Sequence, residues 1–440
     1  MSHEDDLQNA WEELRRDADR GREPQLIPAQ LGQRQVSFRA LVERIEREFM
    51  EEYAGSPLLM EADTTTRRLK LLLPTVDYIL SVESIQIGAE DKAALMNAAY
   101  SSLFGYGPLD ALFLDERVTT ISLQGADRAS VRYGHGDLET IGPLFDDDLH
   151  LKRILRRLLV DAGADLYEEE PFIETGLRIN HRPVSITVAT PLMSYSYSAD
   201  IRVHPQTLPL LEDLVRSNFL TPLAARLLQA MALSTGGFVI VGDTESGKTT
   251  LLSVLAHWLP DPARCVAVER TGELCLPETI HRLTTQWPSA DAPGITFGKQ
   301  IHNALAQEPA CILLDEVRAD EPESIADLLR EPHAPRQIWS FRGPFDAKRL
   351  RNALSMLARR ADMSQSEVLV EALYQRLPFV VTVWRAGGQI RLYSIGEWQY
   401  RDSDYPDFVQ LMDTRDGHLR LTGEHPIRRL ELPDTFWDTQ

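Results

Sequence analysis

The chain has 440 residues, more than one hydrophobic core usually organises, so two domains with tails are expected and a single small module is excluded. Hydrophobic residues at 43% and charged residues at 25% are the balance of a folding globular chain. Lysine plus arginine total 46 against 66 acidic residues, and the resulting charge of −20 repels polyphosphate backbones; direct nucleic-acid binding and adhesion to anionic lipid are disfavoured, and any phosphate must be gripped locally.

In chain order, residues 1–35 are charged and contain Pro24 and Pro28, the pattern of a loose acidic tail. Apolar residues at helical spacing predict a helix over Val36–Met50 and another over Lys92–Ser102. From about residue 104 the period shortens and β-branched residues appear between glycines, which predicts short antiparallel strands carrying Ile121, Val131 and Ile141. A helix is expected over Leu151–Ala162 and a second β-rich patch over Gly176–Val203, closing an α+β domain over residues 36–205. After a helical bridge that ends at a glycine pair, short apolar runs alternate with helical patterns, which predicts a parallel sheet. Those runs are Phe238–Val241, Cys265–Val268, Cys311–Leu314, and the pair Val380–Val383 with Ile390–Tyr393, within a domain spanning 206–400. Residues 401–440 read as a small β appendage. The three cysteines, Cys265, Cys275 and Cys311, lack CxxC spacing, so neither a disulfide framework nor a zinc site is expected and a reducing cytosol fits. No stretch approaches the length of a membrane span.

The segment GGFVIVGDTESGKTTLLSVLAHWLP carries the most chemistry. Gly242, four residues, Gly247, Lys248 and Thr249 satisfy the G-x-x-x-x-G-K-[ST] pattern, with an apolar strand before it and a helix after it that Pro260 stops. Such a loop binds a triphosphate because main-chain N–H groups converge on phosphate oxygens at a helix N-terminus. Gly242, Thr244, Ser246, Gly247, Lys248, Thr249 and Thr250 are therefore the expected ATP-binding residues, with Lys248 reaching the β/γ-phosphates and the Thr249 hydroxyl on Mg²⁺.

ACILLDEVRADE presents Asp315 and Glu316 at the end of an apolar run, as a Walker B element does. Emerging from a strand adjacent to the phosphate loop, Asp315 and Glu316 would hold the magnesium shell, with Glu316 also orienting the attacking water. In CVAVERTGEL, Glu269 and Glu273 follow another strand at the carboxyl edge of the same sheet, where ligands of open α/β sheets collect; Glu269 is the expected catalytic partner of Glu316 and Lys248. Trp258, Trp287 and Trp339 are expected as core or interface anchors.

These residues carry a resemblance to the secretion ATPase superfamily of type II and type IV systems, and within it to the tight adherence pilus (CpaF-like) ATPases. FGYGPLDALFLDERVTTISLQG resembles the family's first-domain signature, TGLRINHRPVSITVATPL and ADIRVH its arginine-bearing strands, and NALAQEPACILLDEVR its helix-strand-acid segment. The resemblance implies a RecA-like P-loop NTPase core preceded by an α+β domain. It also implies a homohexameric ring that couples ATP hydrolysis to domain motion and acts in the cytoplasm on an inner-membrane platform protein. The family's interdomain arginines fall on Arg178, Arg202 and Arg182, where a permanent charge delivered across an interface can stabilise γ-phosphate charge.

Four positions depart from the family pattern: Glu245 replaces a loop glycine, Arg270 an aspartate after Glu269, Asp315 a glycine, and WSFR over Trp339–Arg342 holds no histidine. A carboxylate about 6 Å from phosphate charge is repulsive by roughly 2–3 kcal/mol, about a hundredfold in affinity. Arg270, the opposite charge change, is the expected compensator for Glu245. The leading expectation is an ATP-hydrolysing motor subunit powering pilus assembly or protein secretion; Glu245, Arg270 and the missing histidine supply the alternative, a nucleotide-binding paralogue with weak or no hydrolysis that is a regulatory or structural component of such a platform.

Overall fold

The computed structural model describes residues 37–62, 64–167, 170–288, 293–386, 388–400 and 406–438; the tail expected over 1–35 lies outside the described residues. The chain divides into two compact units, one of residues 1–116 with 144–158, the other of 117–143 with 159–440.

The first unit is helical. Helix α1 (Phe38–Tyr53) starts where the Ser37 hydroxyl accepts from the Ala40 N–H at 3.1 Å, and buries Leu41, Ile45 and Phe49 one turn apart. After α2 (Pro57–Glu61) comes α3 (Thr65–Val82), which continues through Pro74. Its buried stripe of Leu72, Val76, Ile79 and Leu80 offsets the ~3 kcal/mol an internal proline costs. Helix α4 (Ala89–Phe104) adds Leu95 and Ala99 to the same core, and α5 (Leu109–Leu114) replaces part of the strand pattern expected after residue 104. Helix α6 (Asp148–Asp161) covers the helix expected near Leu151.

The second unit holds two sheets. Strands β1 (Val118–Gln124), β2 (Arg128–Tyr133), β3 (Leu138–Gly142), β4 (Phe172–Ile179), β5 (Arg182–Ala189) and β6 (Ser198–Val203) form an antiparallel sheet in the order β3-β2-β1-β6-β5-β4. Alternation buries Ala199, Ile201 and Val203 on one face of β6. Helices α7 (Leu211–Arg216) and α8 (Pro222–Leu233) then lead into the nucleotide-loop region.

The larger sheet contains β7 (Phe238–Gly242), β8 (Cys265–Glu269), β9 (His281–Thr284), β10 (Cys311–Val317), β11 (Arg336–Arg342), β12 (Phe379–Ala386), β13 (Gln389–Gln399), β14 (Asp407–Arg415) and β15 (His418–Leu421). Its order is β15-β14-β13-β12-β7-β11-β10-β8-β9, parallel from β12 to β9 and antiparallel from β12 to β15. The segment after residue 405 therefore extends this sheet. Because helices cover both faces, the central strands are continuous apolar runs. Phe238 and Ile240 face the core made with α7, α8 and α9 (Lys248–Ala256). Val239 and Val241 face the one made with α10 (Phe297–Leu305), α11 (Ala326–Arg330), α12 (Ala347–Ala361) and α13 (Ser366–Arg376).

One expectation is corrected: β10 does not lie beside β7, because β11 is inserted between them, pairing in parallel with each. The polar text of WSFR conceals a strand whose Trp339 and Phe341 are buried. Among the described residues no helix is long and apolar enough to cross a membrane.

Candidate functional site

The parallel strands direct their carboxyl ends to one edge, and the cavity of about 740 Å³ in the second unit opens there. Thr244–Thr250 follow β7, Arg270, Thr271 and Glu273 follow β8, Asp315 and Glu316 end β10, and Ser340 and Arg342 end β11; all line it. Arg132 and Arg202 of the smaller sheet and Arg385 of β12 add positive charge.

The loop turns as its pattern requires. Gly247 has φ of +90°, open only to a residue without Cβ constraint, and it opens α9, whose first residue is Lys248. A Cβ on Gly242 would stand 2.5 Å from the Ser246 hydroxyl and from the Val383 carbonyl, so the strand end admits only glycine. Glu245 also has positive φ, +58°, at a cost of about 1–2 kcal/mol for a residue with a Cβ. That conformation gives the family's glycine at this position a backbone reason.

Lys248 donates to the Asp243 carbonyl at 2.7 Å, so its ammonium is folded onto the loop. Burial pushes its pKa down, with Glu316 opposing. Thr249 Oγ1 donates to Glu273 Oε1 at 2.8 Å, and Ser185 Oγ and His204 Nε2 lie 2.7 and 3.0 Å from Glu273 Oε2. Burial opposes the Glu273 charge, but His204 and the hydroxyls outweigh it and hold the carboxyl well below the usual range. Asp315 is buried and accepts from the Arg270 N–H at 2.6 Å; burial, then the Glu269 charge, push its carboxyl well above the usual range. Glu316 Oε2 accepts from Arg318 at 2.8 Å, while the same guanidinium grips both oxygens of Glu174 at 2.7 and 2.8 Å.

The structure thus gathers Thr244, Ser246, Gly247, Lys248, Thr249, Thr250, Arg202, Asp315 and Glu316 at one cavity, with Gly242 beneath it. Glu269 is placed elsewhere. It is fully buried, its Oε2 takes Arg282 Nε at 2.6 Å, and its Oε1 takes Arg282 Nη2 and the Leu274 N–H at 2.9 Å each. Both oxygens are consumed by structure, and Glu273, four residues on, faces the cavity instead. Arg178 is exposed on β4, donates to the His181 carbonyl at 3.4 Å and is not among the residues that line this cavity. Arg182 is buried, donating to the carbonyls of Val118 at 2.7 Å and His204 at 3.2 Å, where it ties β5 to β1.

The expected compensation of Glu245 by Arg270 is overturned. Arg270 forks onto Glu321 at 2.9 and 3.2 Å and donates to the Glu316 carbonyl at 3.0 Å. Glu245 is taken by Arg132, by Arg385 at 2.5 Å and by the Thr120 hydroxyl at 3.0 Å. No sequence signal linked these positions, which are 113, 140 and 125 residues apart.

Three buried atoms among the lining residues, Arg132 Nε, Asp315 Oδ1 and Ser340 Oγ, have no hydrogen-bond partner. An unpaired buried polar atom costs about 1–3 kcal/mol, which a ligand or its ordered water relieves. Together with the Lys248 ammonium, the Thr249 hydroxyl and the carboxylates of Asp315 and Glu316, this donor set fits a magnesium-bound triphosphate. Among the described residues no three His, Cys, Asp or Glu side chains make a metal site by themselves; magnesium bound with phosphate needs none, since waters and phosphate oxygens fill its shell.

Strand, glycine loop, helix and acidic strand end, with one strand between loop and acids, define a P-loop NTPase with a RecA-like core. Residues 130–328 match the family model described as Type II/IV secretion system protein. The chain is 27% identical over 250 residues to the "Putative conjugal transfer protein" of Mycobacterium tuberculosis, covering 55% of this chain and 70% of that one. To "Protein VirB11" of Agrobacterium fabrum it is 27% identical over 180 residues, covering 40% and 51%. The crystal structure of the VirB11 ATPase from the Brucella suis type IV secretion system, in complex with sulphate, aligns at 20% identity with a TM-score of 0.33, over 68% of this chain and 97% of that one.

Proposed function

We propose that the chain is an ATP-binding and ATP-hydrolysing motor subunit that powers pilus assembly or protein secretion through an inner-membrane platform protein. The observation that carries this reading is the convergence of the Gly242–Thr250 loop, Lys248, Asp315 and Glu316 on one cavity edge. Main-chain amides and Lys248 bind the polyphosphate, Thr249 and Asp315 hold the magnesium shell, and Glu316 orients water. Magnesium, when bound, neutralises charge on the phosphate oxygens. Glu273 holds the Thr249 hydroxyl in place, and Arg202 answers charge at the phosphate end. Exposed Arg178 suits a role across a subunit boundary in a hexameric ring.

In this reading the protein is cytoplasmic, peripheral to the membrane through its partner, and of the tight adherence branch. The reading keeps an α+β domain over 36–205 and a motor core over 206–400, a boundary that falls within the second compact unit between its two sheets, with β14 and β15 extending the core's sheet beyond residue 405. A second reading, a nucleotide-binding regulator with weak hydrolysis, is favoured by one contact: Arg318 occupies the oxygen of Glu316 that would otherwise help orient water. Steady-state phosphate release separates them. The motor reading predicts wild-type release at least 100-fold above a Lys248→Ala variant; equal, slow release with nucleotide retained by wild type alone would establish the regulator.

A further inference from the structure

The phosphate loop carries an acidic residue at its tip, and the structure surrounds that residue with cations from distant parts of the second unit. Glu245 accepts from Arg132 of β2, from Arg385 of β12 and from Thr120 of β1. Glu245 and the two arginines on it are largely enclosed: Arg132 is 13% exposed, Arg385 19% and Glu245 22%. Arg385 continues past the carboxylate, donating to the carbonyls of Gly136 at 3.1 Å and His135 at 3.3 Å in the β2–β3 turn. The loop tip, the end of β12 and the antiparallel sheet are therefore joined through one carboxylate. Burial opposes the Glu245 charge, but Arg132, Thr120, Arg202 and Arg385 outweigh it and keep the carboxyl below its ordinary range.

Counted at the loop, one negative charge meets two permanent positive charges. With the arginines in place, the carboxylate no longer opposes an incoming polyphosphate. Without either of them it does, at short range and in a partly enclosed cavity where screening is weak. A two-point grip also fixes the backbone of a residue held at positive φ, a conformation glutamate does not favour by itself.

We propose that Arg132, Glu245 and Arg385 form a latch in which the two arginines are positioning residues: they neutralise and orient the phosphate loop through Glu245, so that the antiparallel sheet sets the loop's readiness for nucleotide. This rests on the ATP-binding reading for its consequence, but the latch itself exists without ligand. The arginines act on Glu245 and through it on the loop.

Two measurements on the full-length protein test it. Fluorescent ATP-analogue titration with magnesium should show Arg132→Ala and Arg385→Ala each weakening binding about tenfold or more. Glu245→Gly should bind at least as tightly as wild type, and adding either arginine variant to Glu245→Gly should change affinity by less than about threefold. Equal losses in both backgrounds would mean that the arginines touch the ligand directly, and would overturn the latch; so would no loss in either background. Thermal melting without nucleotide is the second arm. The Arg132→Ala and Glu245→Gly shifts should be non-additive, the double variant melting close to Arg132→Ala alone, whereas additive shifts would overturn the proposal. Non-additive melts in a protein that binds no ATP analogue would instead remove the ATP reading and leave the latch standing.

Discussion

At the scale of single residues, the two glutamates of the VERTGEL segment have opposite fates four positions apart. Glu269 ends a fully buried strand and is locked onto Arg282, so its loss damages the fold, whereas Glu273 faces the cavity and holds the Thr249 hydroxyl; across the cavity edge, Glu316 is the acid beside Arg318. Glu316→Gln should therefore lower phosphate release by about 10²–10⁴-fold, the usual reach of a residue that positions or deprotonates water, while leaving the melting temperature within a degree or two. Glu269→Gln should instead cost about 1.5–3 kcal/mol of stability through its lost charged hydrogen bonds. Measuring release and melting for both variants checks the pair. A selective loss of turnover in Glu269→Gln, with stability intact, would restore the catalytic role its sequence position implied. The phosphate loop was legible because its pattern is local: glycines, lysine and threonine lie within eight residues, between a strand and a helix. Which of two nearby acids faces the ligand was not, because Arg282 finds Glu269 through strand pairing of β8 with β9 and not through any sequence spacing. Glu245 misled for the same reason, its partners lying more than a hundred residues away.

Elements followed the same division between local and distant cause. Strands β7, β8 and β10 announced themselves as apolar runs, whereas β11 did not, since Ser340 and Arg342 break its apolar text where it reaches the cavity. Without β11 the loop and acidic strands read as neighbours. Helix α3 was hidden by Pro74, which its buried face tolerates. The pairing of α12 with α13 depends on Tyr374, which is buried, donates to the Arg351 carbonyl at 2.9 Å, meets Ser355 Oγ at 2.8 Å and stacks edge-on against Trp398 at 5.1 Å. Burial pushes its pKa up to about 12. Below pH 10 both folded and unfolded phenols keep their proton and the contribution is whole. Between about pH 10 and 12 the unfolded phenol ionises while the folded one does not, so stability is lost by roughly 2–3 kcal/mol as pH rises. Tyr374→Phe removes this titration. The stability advantage of wild type over Tyr374→Phe should shrink from pH 9 to pH 12 in denaturant titrations; a constant difference would show that Tyr374 ionises alike in both states.

Across the whole molecule, a net charge of −20 sits on a chain whose cavity balances seven basic residues, Lys248, Arg132, Arg202, Arg270, Arg318, Arg342 and Arg385, against seven acidic ones, Glu174, Asp200, Glu245, Glu273, Asp315, Glu316 and Asp320. Phosphate binding there rests on individual donors placed at short range and not on a net positive field, while the charge of the whole chain disfavours long polyanions. The central claim is that this cavity holds a magnesium-bound adenine triphosphate. Calorimetric titration of the purified protein with a non-hydrolysable ATP analogue tests it most directly. With magnesium present, saturable binding in the micromolar range is expected, lost or weakened at least 100-fold in Lys248→Ala, whose melting curve stays that of wild type. Absence of heat and of any displacement of a fluorescent analogue by wild-type protein, under the same conditions, would contradict it.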